Sequence, residues 1–272
     1  MRIAFIGGGH MATSLIGGLR ARGMPGDAIW VADPVPAQIK RLRRDFGVNG
    51  TTDNSAAVRE GDVVVLAVKP QDMAGVARGI STELARRCHN VISIAAGIRL
   101  ADLARWLGAD TPVVRAMPNR PALIGAGVTA LCAGPAVDDE GRTAVDGVMS
   151  AAGATVWLSE ESQMDAVTAI SGSGPAYFFL LVEALEGAGI ELGLVPETAR
   201  RLAVETARGA GRMAAESLES PATLREQVTS KGGTTAAALE VLEGAGVRDI
   251  FTRAVTAAAH RSAQLADHFG GT

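Results

Sequence analysis

A short apolar run, Arg2–Ile6, passes directly into Gly7-Gly8-Gly9-His10-Met11-Ala12, and a helical pattern, Met11–Arg22, follows. A strand that empties into glycines and re-emerges as a helix is a βα unit whose backbone is open to close approach. The cluster reads G-x-G-x-x-A. In that pattern Gly7 makes the tight turn, Gly9 admits a pyrophosphate to the backbone, and Ala12 lets the helix sit close on the sheet. His10 and Met11 open the helix, whose N-terminus faces the phosphates. Structural turns also use glycine triplets. The place of this one, a single strand in from the start and with a second strand at Ala28–Ala32, selects a dinucleotide site.

The same alternation continues through the first half. Val63–Ala67, Asn90–Ile94 and Pro112–Ala116 read as buried strands, and Val35–Asp45, Met73–Arg87 and Leu100–Leu107 as the helices between them. Such alternation predicts a parallel sheet covered on both faces. Val128–Leu131 and Thr155–Leu158 read as further strands around a helix at Asp139–Ala151. After Leu158 only helical patterns remain: Gln163–Ile170, Ala176–Leu192, Glu197–Leu218, Ala236–Leu242 and Arg248–His268. The predicted fold is therefore α/β, with an N-terminal Rossmann-type dinucleotide-binding domain over 1–158 and an all-α dimerisation domain over 159–272.

Aromatic residues make up 4 % of the chain, so its core rests on Ala, Val, Leu and Ile. A small helical domain with so few large side chains is marginal alone and predicts burial against a second copy. A net charge of −3 without a basic block argues against nucleic acid as a partner. Cys88 and Cys132 form neither a disulfide framework nor a metal spacing, and no metal is expected. The long uncharged runs, Ile3–Leu19, Pro121–Val137 and Ala166–Val182, are interrupted and fall short of the ~20 apolar residues that span a bilayer. A soluble, cytoplasmic protein is expected.

Asp33 closes the second strand, where an acid accepts from the ribose 2′-hydroxyl and repels a 2′-phosphate. Lys40, Arg41, Arg43 and Arg44 on the next helix offer a phosphate the opposite welcome, and Asp33-Pro34 is also a plain turn or helix cap. NADPH and NADH both stay open as cofactor. For the reaction, absences inform. The single tyrosine, Tyr177, is followed at its fourth residue by Leu181, which removes a Tyr-x-x-x-Lys relay. Ala176–Leu192 contains no lysine, and neither His260 nor His268 has an acid or arginine at a telling spacing. Alcohol–ketone chemistry lacks its usual acid and base here. A protonated C=N is already electrophilic and needs mainly orientation and a proton, which hydroxyls and N–H groups supply. Thr229-Ser230-Lys231-Gly232-Gly233-Thr234-Thr235 collects such groups ahead of a helix, where an ordinary threonine cap is the competing reading.

Six segments carry a resemblance. They are Ile6–Ala12, Ala67-Val68-Lys69-Pro70-Gln71, Ser93-Ile94-Ala95-Ala96-Gly97, Arg115-Ala116-Met117-Pro118-Asn119, Ser171-Gly172-Ser173-Gly174-Pro175-Ala176-Tyr177 and Gly232-Gly233-Thr234-Thr235. Each is modest alone; in this order they resemble the pyrroline-5-carboxylate reductase family over nearly the whole chain. The resemblance implies reduction of L-1-pyrroline-5-carboxylate to L-proline with NADPH or NADH. It implies that Ala67, Val68, Lys69 and Pro70 close over the ribose side, with Asn54 near the adenine half. It places Ala95, Ala96 and Gly97 along the nicotinamide, and Met117 and Asn119 where nicotinamide meets substrate. Ser230, Gly233 and Thr234 would take the substrate carboxylate, and Thr235 the ring nitrogen. The small-molecule substrate would be a cyclic imino acid, bound by a homo-oligomer built from dimers. Two positions depart from the family: Arg120 stands where a small residue is usual, and Lys231 where proline is usual. A reductase of a related cyclic imino acid and a non-catalytic dinucleotide-binding regulator are the alternatives.

Overall fold

A computed structural model describes residues 1–87 and 89–270; Cys88 lies outside them. The chain divides into two compact units, Met1–Gly172 together with the residues from Ala258 onward, and Ser173–Ala257. The strand signal that ends near Leu158 does not coincide with this division. The segment from Glu161 to Gly172 packs with the sheet through Met164, which is buried with Ala130 and Cys132.

In the first unit the strands are β1 (Ile3–Ile6), β2 (Ile29–Ala32), β3 (Asn49–Thr51), β4 (Val63–Leu66), β5 (Asn90–Ser93), β6 (Val113–Met117), β7 (Gly127–Ala133) and β8 (Gly153–Trp157). They form one sheet in the order β3-β2-β1-β4-β5-β6-β7-β8. Ile3 and Phe5 of β1 enter the core on one face, while Ala4 and Ile6 enter the core on the other. With both faces covered, consecutive rather than alternate residues must be apolar, which is why β1, β2 and β4 read as unbroken runs. The helices are α1 (His10–Ala21), α2 (Pro36–Phe46), α3 (Asn54–Glu60), α4 (Pro70–Leu84), α5 (Leu100–Leu107) and α6 (Asp139–Met149).

Three features differ from the expectation. The pair β6–β7 is antiparallel, so the sheet is not wholly parallel. Only a 3-10 turn, Arg120–Ile124, separates the two strands, and a parallel return needs a crossover of a dozen or more residues. β3 and α3 were not expected: Asn49-Gly50-Thr51 carries no strand signal of its own and is held by pairing with β2. α3 is short and is set by the Asp53 carboxylate, which accepts from the Ser55 N–H at 2.9 Å. Third, the helix expected at Gln163–Ile170 is α7 (Met164–Val167) followed by a π-helical turn, Thr168–Gly172.

The second unit holds α8 (Gly174–Glu191), α9 (Pro196–Glu216), α10 (Pro221–Gln227), α11 (Thr234–Gly244) and the start of α12 (Val247–Gly270), whose last turns belong to the first unit. Pro175 and Pro196 both sit in first helical turns, where a missing N–H costs nothing. α8 packs along α9 through small residues; a Cβ at Gly189 would lie 3.2 Å from that of Ala199. Among the described residues only Gly174, Ala199 and Ala203 of this unit are buried. Phe178 and Phe179 stay 67 % and 64 % exposed within the single chain. The stretch Glu161–Glu191 includes a window apolar and long enough by composition to cross a membrane.

Candidate functional site

Parallel strands deliver their following loops to one edge of a sheet, and the crevice there is where α/β folds bind ligands. In this chain that edge collects the glycine loop after β1, Asp33 after β2, Asn54 after β3, Ala67–Lys69 after β4, Ala95–Gly97 after β5 and Met117–Asn119 after β6. The sequence-selected cofactor residues thus fall on neighbouring strands of one unit.

Gly7 has φ +99°, and a Cβ there would lie 2.7 Å from the Ala67 carbonyl oxygen, so glycine is the residue this turn admits. Gly9 is the opposite case: a Cβ there would meet nothing within 4 Å. Its backbone borders open space at the start of α1, whose N-cap is Gly9 itself and carries no side-chain cap. The first-turn N–H groups from His10 onward are therefore available to an anion, and the loop fits a dinucleotide pyrophosphate.

Asp33 does more than end a strand. One carboxylate oxygen accepts from the Gly8 N–H at 2.8 Å and the other from the Val35 N–H at 2.9 Å. The acid is therefore fixed under the glycine loop. The cations on α2 are partly committed: Arg41 donates to the Thr13 hydroxyl at 3.2 Å, and Arg44 pairs with Asp45 at 2.8 Å. Gln38, which no sequence signal singled out, donates to the Gly8 carbonyl and steadies the same loop. Its only trace in the sequence is its place in the first turn after Asp33. Lys69 is the exposed N-cap of α4, with Pro70 at the first helical position.

At the end of β6, Asn119 is 9 % exposed. Its Oδ1 accepts from the Val128 N–H at 3.0 Å, and its Nδ2 donates to the Ser171 carbonyl at 3.2 Å. It ties the β6 loop to β7 and to the π-helical turn. A Cβ at Gly172 would lie 2.7 Å from the Met117 methyl, so the turn and the β6 end are in direct contact. Met117 and Asn119 thus lie together, but the Asn119 amide is spent on backbone. π-helical turns recur at functional sites.

Ser230, Gly233, Thr234 and Thr235 are gathered in the second unit at the N-terminus of α11. Gly232 carries φ +72°, the Gly233 N–H donates to the Ser230 carbonyl at 3.0 Å, and Gly233 is the N-cap. A Cβ at Gly233 would lie 2.4 Å from the Ser230 hydroxyl, so this glycine leaves room for the hydroxyl. No side-chain cap closes the helix, which corrects the reading of an ordinary threonine cap. Thr234 and Thr235 instead occupy the first turn itself, beside the free N–H groups. Cys132 is buried, and burial pushes its thiol up, away from nucleophilic use. Among the described residues no three His, Cys, Asp or Glu side chains are grouped to hold a metal.

Comparison with known proteins finds relatives over nearly the whole chain. A family described as Pyrroline-5-carboxylate reductase dimerisation matches residues 161–265. One described as NADP oxidoreductase coenzyme F420-dependent matches residues 2–97. The pyrroline-5-carboxylate reductase of Pseudomonas aeruginosa is 47 % identical over 99 % of this chain and 98 % of its own length. That of Pasteurella multocida is 42 % identical over 97 % of each. Among solved structures, a pyrroline-5-carboxylate reductase from Coxiella burnetii superposes with a TM-score of 0.94 at 41 % identity, covering 97 % of this chain and 98 % of that one. The Plasmodium falciparum pyrroline carboxylate reductase with NADP bound gives 0.85 at 28 %, covering 98 % of both. The chain, matched from end to end, belongs to the pyrroline-5-carboxylate reductase family.

Proposed function

We propose that this protein reduces L-1-pyrroline-5-carboxylate, as its protonated imine, to L-proline by taking a hydride from NAD(P)H. The observation that carries the reading is the pairing, in one full-length family member, of a glycine loop open at Gly9 with the hydroxyl-rich turn Ser230–Thr235 at an uncapped helix N-terminus. Bound nicotinamide dinucleotide supplies the hydride; the chain's own residues bind and orient. The N-terminus of α1 holds the pyrophosphate, and Ala95–Gly97 and Met117 border the nicotinamide. The first-turn N–H groups of α11, with the Ser230 hydroxyl, hold the substrate carboxylate. The Thr235 hydroxyl hydrogen-bonds the ring nitrogen and keeps a proton there as the C=N carbon accepts hydride, leaving a neutral secondary amine that protonates in water.

The anchored Asp33 carboxylate supports NADH as the favoured donor. Homo-oligomers form through the helical unit, and exposed Phe178 and Phe179 on α8 supply apolar surface for a dimer. The same pairing accounts for the apolar stretch Glu161–Glu191 without a membrane, and we infer a cytoplasmic location. Lys231 and Arg120 favour a second reading, reduction of a related cyclic imino acid with additional negative charge.

Oxidation of NADH or NADPH by purified protein, with pyrroline-5-carboxylate and a panel of cyclic imino acids, tests both. Turnover of pyrroline-5-carboxylate is expected, and none with either cofactor refutes the assignment. Thr235→Ala is expected to lower kcat by about 100-fold, within the range of one general acid–base group; an unchanged kcat removes Thr235 from proton transfer.

A further inference from the structure

The turn Ala95–Gly97 is a loop of small residues with no side chain of its own long enough to fix it, yet the reading above asks it to border a nicotinamide. Its entrance is tied to the sheet, since the Ile94 N–H donates to the Leu66 carbonyl at 3.1 Å. Its exit, Arg99–Leu100, is held to its own helix by the Arg99 N–H, which donates to Asp102 Oδ2 at 3.3 Å, and is tied twice to distant segments. The Arg99 guanidinium meets Asp267 of α12 at 2.7 Å, and the Leu100 N–H donates to Glu161 Oε1 at 2.8 Å.

The two ties are not equivalent. Asp267 is 69 % exposed and Arg99 42 %, so water screens that pair and leaves both side chains mobile. Glu161 is different because the same Oε1 that receives Leu100 also receives Arg115 Nη1, at 2.7 Å. Arg115 lies on β6 with its side chain 7 % exposed, between Ser93 of β5 and Cys132 of β7 in the register. A guanidinium with so little access to water must keep its counter-charge, which pins the Glu161 carboxylate where it stands. A pinned acceptor in turn fixes the N–H that ends the loop.

We infer that Glu161, held by Arg115, is a positioning residue for the cofactor-side turn Ala95–Gly97. It acts through the Leu100 N–H and touches neither cofactor nor substrate. The inference rests on the proposed place of Ala95–Gly97 beside the nicotinamide, and the test separates the two.

NADH affinity, kcat and thermal midpoint are measured for Arg115→Leu/Glu161→Leu, Leu100→Pro, Glu161→Gln, Asp267→Ala and Ala96→Leu. The double variant removes both charges together, so no lone buried charge remains, and it deletes the acceptor. With Leu100→Ala measured beside it to account for the leucine side chain packed on Ala130, Cys132 and Met164, Leu100→Pro deletes the N–H. It suits the first position of α5 after an extended Arg99 (φ −85°, ψ 157°), and it carries the test where the double variant does not fold. Both are expected to weaken NADH binding and lower kcat about tenfold. Glu161→Gln keeps an acceptor for the Leu100 N–H but removes the Arg115 counter-charge, so NADH affinity and kcat are expected within about twofold of the parent while the thermal midpoint falls. Asp267→Ala is expected within about twofold in all three. A folded double variant or Leu100→Pro with parental NADH affinity and kcat overturns the inference, as does a fall in thermal midpoint alone in either of them. Ala96→Leu reports on the turn itself, because Ala96 is exposed. If it weakens NADH while the deletions of the tie do not, the positioning role alone fails. If Ala96→Leu is also silent, the placement of the turn beside the nicotinamide fails.

Discussion

Replacing Asn119 by alanine separates two roles for one residue. The family resemblance places Asn119 at the substrate, whereas the structure commits its amide to the Val128 N–H at 3.0 Å and the Ser171 carbonyl at 3.2 Å. Alanine leaves both backbone groups without that partner. A buried group deprived of its hydrogen bond costs about 1–3 kcal/mol. Val128 and Ser171 are half-buried, so water recovers part of the loss and each falls at the low end. The sum is about 2–3 kcal/mol. For a chain of this size that lowers the thermal midpoint by about 4–12 °C, at ~2–4 °C per kcal/mol. Scanning calorimetry on Asn119→Ala reads the shift directly. Asn119→Asp sharpens the test: one oxygen still accepts from Val128, but the other opposes the Ser171 carbonyl, so it too is destabilised. A thermal midpoint within 2 °C of the parent (roughly 1 kcal/mol at most), with a raised KM for the imino acid, refutes the strut and returns Asn119 to the substrate.

Asp33 and His89 give two further expected outcomes. Asp33→Ser keeps an acceptor for the Gly8 N–H but removes the charge at the ribose, and the ratio of kcat/KM for NADPH over NADH is expected to rise about tenfold or more, a shift of ~1.4 kcal/mol; an unchanged ratio in initial-rate assays denies Asp33 its discriminating role. His89 is 2 % exposed with Nδ1 donating to the Gly61 carbonyl at 2.9 Å, and burial, aided by nearby Arg87, holds its pKa below the usual 6.5. The unfolded chain then takes up the proton first as pH falls, so the stability contributed by neutral His89 is full above about pH 6.5 and is lost progressively below it. Urea midpoints measured from pH 7.5 down to 5.5 are expected to fall more steeply for the parent than for His89→Gln; parallel slopes exclude His89 as the cause.

Local signals carried the parts of this protein that local physics determines. A strand running into Gly7 and Gly9, the unbroken apolar runs of β1, β2 and β4, and the order of the short motifs were legible because each depends on a few consecutive residues. Turn dihedrals, burial on both sheet faces and a helix N-terminus all act within such a span. The hydroxyl turn before α11 was legible for the same reason, and the competing reading of a threonine cap gives way to Gly233 as N-cap.

What tertiary structure decided lies beyond that reach. β3 is a strand only because β2 offers it a ladder, and β7 reverses because the link from β6 is too short to cross the sheet. Asn119 became a strut through Val128 and Ser171, and Arg115 found Glu161 across 46 positions of sequence. A buried polar atom must find its partner wherever the fold brings one. The partner's identity is therefore a property of the packed sheet, and nothing in the neighbouring residues encodes it.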